Sequence, residues 1–197
     1  MHESGERRSL AQRMPDAVWC PLVAGLLIAA AGAIGLAFRQ PWLFPSLGPT
    51  AYMQVAAPKY RSSNFYCTLV GHLTGMLCGL FAVWITGSSS APPVVADARL
   101  TPVRLLAAAI ALALTILTGL LLHAVHPPAA ATTLIFALGS LNPTVRGMTI
   151  LLIGVVIIAV LGEAARLVRI GEKPSWNSLK PTEQAHSMRS GHADRLQ

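Results

Sequence analysis

Acidic side chains are nearly missing from the interior of this sequence. Of 197 residues only eight are Asp or Glu, and none lies between Asp16 and Asp97 or between Asp97 and Glu163. Cation channels and proton-coupled pumps commonly rely on intramembrane carboxylates to balance or relay positive charge, so an interior without them is better suited to an anion or a neutral solute. Charge of either sign is scarce. Charged residues make up 12% against 53% hydrophobic, with a mean hydropathy of +0.56, too few charges to cover a soluble globule. The three cysteines, Cys20, Cys67 and Cys78, lie in or beside apolar runs and form no Cys-x-x-Cys pair, so they suggest neither a disulfide framework nor a zinc site and read most simply as small core residues. No nucleotide-binding loop, nucleophile triad or acid-base pair is visible, so an enzyme is the least supported class.

What the chain does have is long apolar runs. Residues 19–38 and 65–86 are long enough to cross a bilayer outright, since about 20 residues at 1.5 Å rise span the hydrocarbon core. Residues 105–122 reach that length with their flanks. Residues 148–168 open with an uncharged run, fourteen residues from Met148 to Leu161 and then Gly162, before Glu163 and Arg166, which sit at i and i+3 on a helix and can pair near an interface. These features predict an all-α polytopic membrane bundle of four long helices. The first run follows Arg7, Arg8 and Arg13, and an uncleaved signal anchor accounts for it better than a cleaved leader or a twin-arginine signal beginning at Arg7.

Basic residues set the orientation. Arg7, Arg8 and Arg13 at one end and Arg166, Arg169, Lys173, Lys180, Arg189 and Arg195 at the other place both termini in the cytoplasm, in a cell inner (plasma) membrane. The organisation expected is a cytoplasmic segment over residues 1–17, a transmembrane domain over 18–170 and a flexible cytoplasmic tail over 171–197. Much of the +7 net charge belongs to those ends, where topology and anionic lipid account for it without a nucleic-acid partner.

A weak repeat organises the membrane domain, one half about residues 18–87 and the other about 103–170. Each half reads long run, short proline-led segment, long run. The short segments are "PSLGPTAY" from Pro45 and "PPAAATTL" from Pro127; aligned on these prolines, Gly48 falls on Ala130, Thr50 on Thr132 and Tyr52 on Leu134. Proline is well suited to the first position of a helix, so both segments read as short broken or re-entrant helices. The run from Pro127 to Gly139 is too short to span the bilayer, which puts its N-terminus inside the membrane. Such a tip presents unpaired N–H groups and partial positive charge, as at the anion sites of broken-helix transporters. Ser46, Thr50, Thr132 and Thr133 would add hydroxyls, and Gly48 with Ala129 to Ala131 would allow close approach. The competing reading is a tight turn between packed helices.

Within the second run, Asn64, Thr68 and His72 repeat every four residues as one polar stripe, and Gly71, Gly75 and Gly79 form a doubled G-x-x-x-G beside it. The glycine row predicts close helix contact within a chain or in a homo-oligomer, with Gly25, Ala29 and Ala33 as a candidate partner row. His123 and His126 lack the carboxylate and thiolate companions most metal sites use, so neither metal nor cofactor is expected.

Three motifs, "PSLGPTAY", "NFYCTLVGHLTGMLCG" and "HPPAAATTL", resemble in order the signature regions of the HPP family, small integral membrane proteins named for His-Pro-Pro. The resemblance spans roughly residues 19–168. It implies a role in moving nitrite across a membrane, and points to Pro45 and Gly48, to Asn64, Gly71 and His72, and to His126, Pro127, Pro128 and Thr132. The family commonly has glycine where this chain has Ala129 and Ala130, and Pro-Arg-Asn where it reads Ser62, Ser63 and Asn64; Arg61 is the nearest arginine. The leading expectation is a small-anion permease or channel, and the alternative is a non-transporting membrane scaffold or sensor subunit. If the short segments turn back, there are four crossings and parallel repeats, which segment length favours; if they cross, there are six and the repeats are inverted, which puts Lys59 and Arg61 on the side of the termini.

Overall fold

The computed structural model describes residues 9–173; the outer parts of the terminal segments, with Arg7, Arg8 and the chain after Lys173, lie outside the described residues. A short capping-box helix, α1 (Leu10–Arg13), leads into α2 (Asp16–Ala37). The remaining helices are α3 (Leu47–Ala56), α4 (Phe65–Thr86), α5 (Val94–Asp97), α6 (Pro102–Leu121), α7 (Ala129–Ala137) and α8 (Val145–Ile170). Four of them, α2, α4, α6 and α8, are long and apolar enough to cross a membrane.

Local sequence sets the ends of the long helices. Asn64, Thr101 and Thr144 cap α4, α6 and α8 by accepting from the N–H groups of Cys67, Arg104 and Gly147. Gly87 and Gly171 end α4 and α8 in the left-handed conformation. Glu163 and Arg166 form the expected pair, with Arg166 Nη2 2.7 Å from Glu163 Oε1.

Packing follows the repeat. The short helix α3 lies against α2 of its own half and α8 of the other, while α7 lies against α6 of its own half and α4 of the other. The last spans of the two halves, α4 and α8, pack on each other. Exchanging α2 with α6, α3 with α7 and α4 with α8 therefore maps each contact onto a counterpart. One core gathers Leu47, Ala51 and Val55 of α3 with Leu151, Val155 and Ile158 of α8, and a second joins Ala82, Ala111 and Ala137 where α4, α6 and α7 meet.

The chain direction can be followed through these contacts. After α2, residues 40–44 run back alongside it; a Cβ on Gly35 would lie 2.8 Å from the Gln40 carbonyl, and one on Gly32 would lie 3.7 Å from the Leu43 side chain. Helix α3 then continues toward the start of α2, where Cys20 Sγ donates to the Val55 carbonyl at 3.5 Å. Pro58 arrives at the C-terminal part of α8, its carbonyl accepting from Arg166 at 3.0 Å. In the second half the same path runs in reverse. Residues 124–126 enter beside Gly71 near the start of α4, α7 passes Gly75 and Gly79, and Leu138 reaches the loop after α4, where its carbonyl accepts from Val94 N–H at 3.0 Å.

Each broken segment thus traverses the bundle as an extended leg plus a short helix. The chain therefore passes along the bundle six times with its halves inverted, and four of these passes are helices long and apolar enough to cross a membrane by themselves. The physical reason is that extended chain rises about 3.3 Å per residue against 1.5 Å in a helix, so a few non-helical residues supply the missing length. They are tolerated at membrane depth because protein surrounds them. If residues 40–57 cross, maleimide should label Arg39→Cys and Lys59→Cys from opposite faces of the membrane in a background lacking the native cysteines; labelling of both from one face would restore the four-crossing path.

The small-residue rows are not used as the sequence suggests. Gly25, Ala29 and Ala33 face away from the bundle. The row Gly71, Gly75 and Gly79 is occupied by the α7 segment of the same chain, with Ala129 and Thr133 backbone carbonyls 2.7 and 2.8 Å from where Cβ atoms on Gly75 and Gly79 would sit. A subunit contact through Gly71, Gly75 and Gly79 is therefore replaced by an intrachain one, because the groove is already filled.

Candidate functional site

The offset that aligns Pro45 with Pro127 also aligns Leu47, first residue of α3, with Ala129, first residue of α7, and Thr50 with Thr132. The prolines lie in the tight turns just before the helices rather than at their first position, and Pro128 (φ −59, ψ −22) already has helical angles. Because the halves are inverted, the legs enter from opposite ends and the two helix tips begin within the bundle.

Both tips reach one imidazole. Thr50 Oγ1 lies 2.8 Å from His72 Nε2, and Thr132 Oγ1 lies 2.6 Å from His72 Nδ1. His126, on the leg before α7, packs edge-on against His72 with ring centroids 5.0 Å apart. Its Nδ1 is 2.6 Å from the Ser62 carbonyl, and its Nε2 is 3.4 Å from Thr50 Oγ1. Thr50, His72 and Thr132 are fully buried and His126 is 5% exposed, roughly 10 Å along α4 from its start.

Donor and acceptor chemistry assigns the protons. The Ser62 carbonyl only accepts, so His126 carries hydrogen on Nδ1, and its Nε2 is bare in the neutral ring. The Thr50 hydroxyl donates to the Ser46 carbonyl at 3.0 Å. It then accepts from His72 Nε2–H, which leaves His72 Nδ1 to accept from Thr132. Beside this chain Thr133 pairs with Thr115 at 2.8 Å.

The tip of α7 differs from the sequence expectation in one respect. The N–H groups of Ala129, Ala130 and Ala131 donate to the carbonyls of His126, Pro127 and Pro128, at 2.9, 3.1 and 3.1 Å. A tightened first turn satisfies them, so hydroxyls and imidazoles, not bare amides, are the groups this tip presents.

Several named residues lie elsewhere. Pro45, Gly48 and Pro127 are exposed, Pro128 is buried in the turn, and Asn64 is the cap of α4. Ser46 is buried at the tip of α3, its hydroxyl without a hydrogen-bond partner among the described residues. The same holds for Thr68 Oγ1 and for both carboxamide atoms of Gln54, which presses on Gly162 of α8. Sequence reasoning missed Gln54 and Thr115. The spacing Ser46, Thr50, Gln54 at i, i+4 and i+8 is the signal that could have found the first; Thr115 had none.

An open-sided cavity of about 270 Å³ reaches this centre between α4, α6 and the α7 tip, with His126, Thr74, Thr115, Gly71, Gly119 and Ala129 in its wall. His126 is the member of the imidazole pair that faces it. Fixed cations stay at the periphery: Arg61 donates to the His123 carbonyl at 2.9 Å, and Arg104 donates to the Ala91 and Ala137 carbonyls at 2.7 and 3.3 Å. His123 sits in a left-handed turn (φ 52) and is exposed.

No curated protein and no solved structure matches this sequence. A family model described as the HPP transmembrane region does match it, over residues 9–172, which takes in the four long helices, the threonine-bridged imidazole and the His-Pro-Pro turn that delivers His126. This multi-pass membrane protein belongs to the HPP family.

Proposed function

We propose that the protein is a permease for a small anion, with nitrite the candidate that family resemblance supplies, and that the anion binds between the two short-helix tips. The observation that carries this reading is that equivalent threonines of two inverted halves hold opposite nitrogens of His72. Convergence of broken-helix tips from both sides on one buried polar centre is the plan of secondary transporters. Partial positive charge at both tips and the hydroxyls of Ser46, Thr50, Thr132 and Thr133 favour an anion, and no carboxylate lies among them to repel it. The end bearing Arg13, Lys59, Arg61, Arg169 and Lys173 faces the cytoplasm in this reading, in the inner (plasma) membrane.

The satisfied amides of the α7 tip favour a second reading, in which the turn is a packing device of a scaffold or sensor subunit. The two separate in proteoliposomes. Protein-dependent nitrite flux is expected, slowed roughly tenfold by His126→Ala or by Thr132→Val, the loss of one hydrogen bond to a charged group. Equal flux with and without the protein rejects transport and leaves the scaffold.

A further inference from the structure

Charge balance at the buried centre decides how an anion could reach it. An unpaired ion deep in a bundle is costly, and it enters only with a partner charge. Among the described residues, no arginine or lysine on the elements packed around His72 and His126 hydrogen-bonds to either ring. Arg61 on the turn before α4 and Arg104 on α6 are bound to backbone carbonyls, and Arg166 on α8 is held by Glu163 and Pro58. The facing groups on α3, α6 and α7 are the neutral Thr50, Gln54, Thr115, Thr132 and Thr133, and Cys67 and Cys78 of α4 contact the His123 carbonyl and Thr118. The two imidazoles remain as the groups able to become positive there.

We propose that the protein moves a proton with each anion, the imidazole pair of His72 and His126 taking up the proton that neutralises the bound anion, so that transport is electroneutral symport. The inference rests on the transport reading above and adds the co-transported ion. His126 is the entry point: its Nε2 is bare in the neutral ring, and the residue lines the cavity while His72 does not. One proton from the aqueous phase on the entry side forms one N–H bond at Nε2 as the anion binds. Thr50 lies between the rings, 3.4 Å from His126 Nε2 and 2.8 Å from His72 Nε2, so its oxygen, which already accepts from His72, can also accept from the N–H formed on His126. On release the same N–H bond breaks and the proton leaves with the anion; no oxidant, reductant or other bond change is involved.

The test uses full-length protein in liposomes containing pyranine, with the potential set by valinomycin and a potassium gradient. Nitrite uptake is followed chemically, and protein-free vesicles correct for acid that crosses lipid unaided. Protein-dependent uptake should acidify the lumen with one proton per nitrite, accelerate when the lumen starts alkaline, and proceed at the same rate under inside-negative and inside-positive potentials. Protein-dependent uptake that follows the potential and leaves the lumen pH unchanged overturns symport and leaves the transport reading standing. Absence of any protein-dependent uptake overturns both. Wild-type vesicles alone distinguish these outcomes; His126→Asn, checked for an unchanged unfolding midpoint, should then lose protein-dependent acidification, and uptake that still acidifies the lumen with one proton per nitrite would show the ring is not the carrier.

Discussion

Protein-dependent nitrite flux is expected to fall at least about a hundredfold in His72→Gln while the protein still folds, because the imidazole is the junction between the two halves and glutamine replaces its hydrogen bonds but not its charge. Two charge-assisted hydrogen bonds, from rings and hydroxyls to the anion, are worth about 1.5–3 kcal/mol each, and each 1.4 kcal/mol is about tenfold. Glutamine can still serve Thr50 and Thr132, which His72 holds at 2.8 and 2.6 Å in a fully buried setting. His72→Leu is the contrasting variant. It strands the Thr132 hydroxyl without its partner, at about 1–3 kcal/mol, and should lower the thermal unfolding midpoint in detergent as well as the flux. Wild-type flux in His72→Gln would remove the imidazole from the transport path.

The largest loss of stability is expected for Gly75→Val. A Cβ at this position would sit 2.7 Å from the Ala129 carbonyl oxygen and 2.9 Å from Thr133 Oγ1, at the start of α7. The nearest obstacle is backbone, which cannot rotate away, so the whole broken segment would have to lift off α4. Overpacking of this kind costs about 1–3 kcal/mol in a core that can adjust, and here the adjustment also separates Thr132 from His72. The variant should unfold at a lower temperature and lose flux together. Gly25→Val is the matched control: nothing lies within 4 Å of its Cβ position, and it should behave as wild type. Equal midpoints for the two valine variants would mean that α7 does not seat in this groove.

Much of this architecture was legible in the residues. Apolar runs placed the long helices within a few positions, because length and hydropathy alone specify a span. The alignment of Pro45 with Pro127 identified the halves, and the i, i+4 stripe through Thr68 and His72 identified the buried polar face. The number of crossings was not legible. Hydropathy counts helical length, and residues 40–44 and 124–128 run along the bundle without being helical. The partner of the glycine row was equally hidden, since G-x-x-x-G states that something approaches closely and not what. The satisfied amides of Ala129 to Ala131 depend on whether the first turn tightens, a matter of a few tenths of an ångström that composition does not report.

Gly71 meets the carbonyl of Ala124 in one half, and Gly154 meets the carbonyl of Trp42 in the other, so these two contacts are counterparts under the exchange of halves. The next residue is His72 in the first case and Val155 in the second. Turning the molecule over would therefore restore the scaffold but not the imidazoles. A vesicle population with mixed insertion holds two chemically distinct faces rather than one, and kinetics measured from either side describe different first encounters.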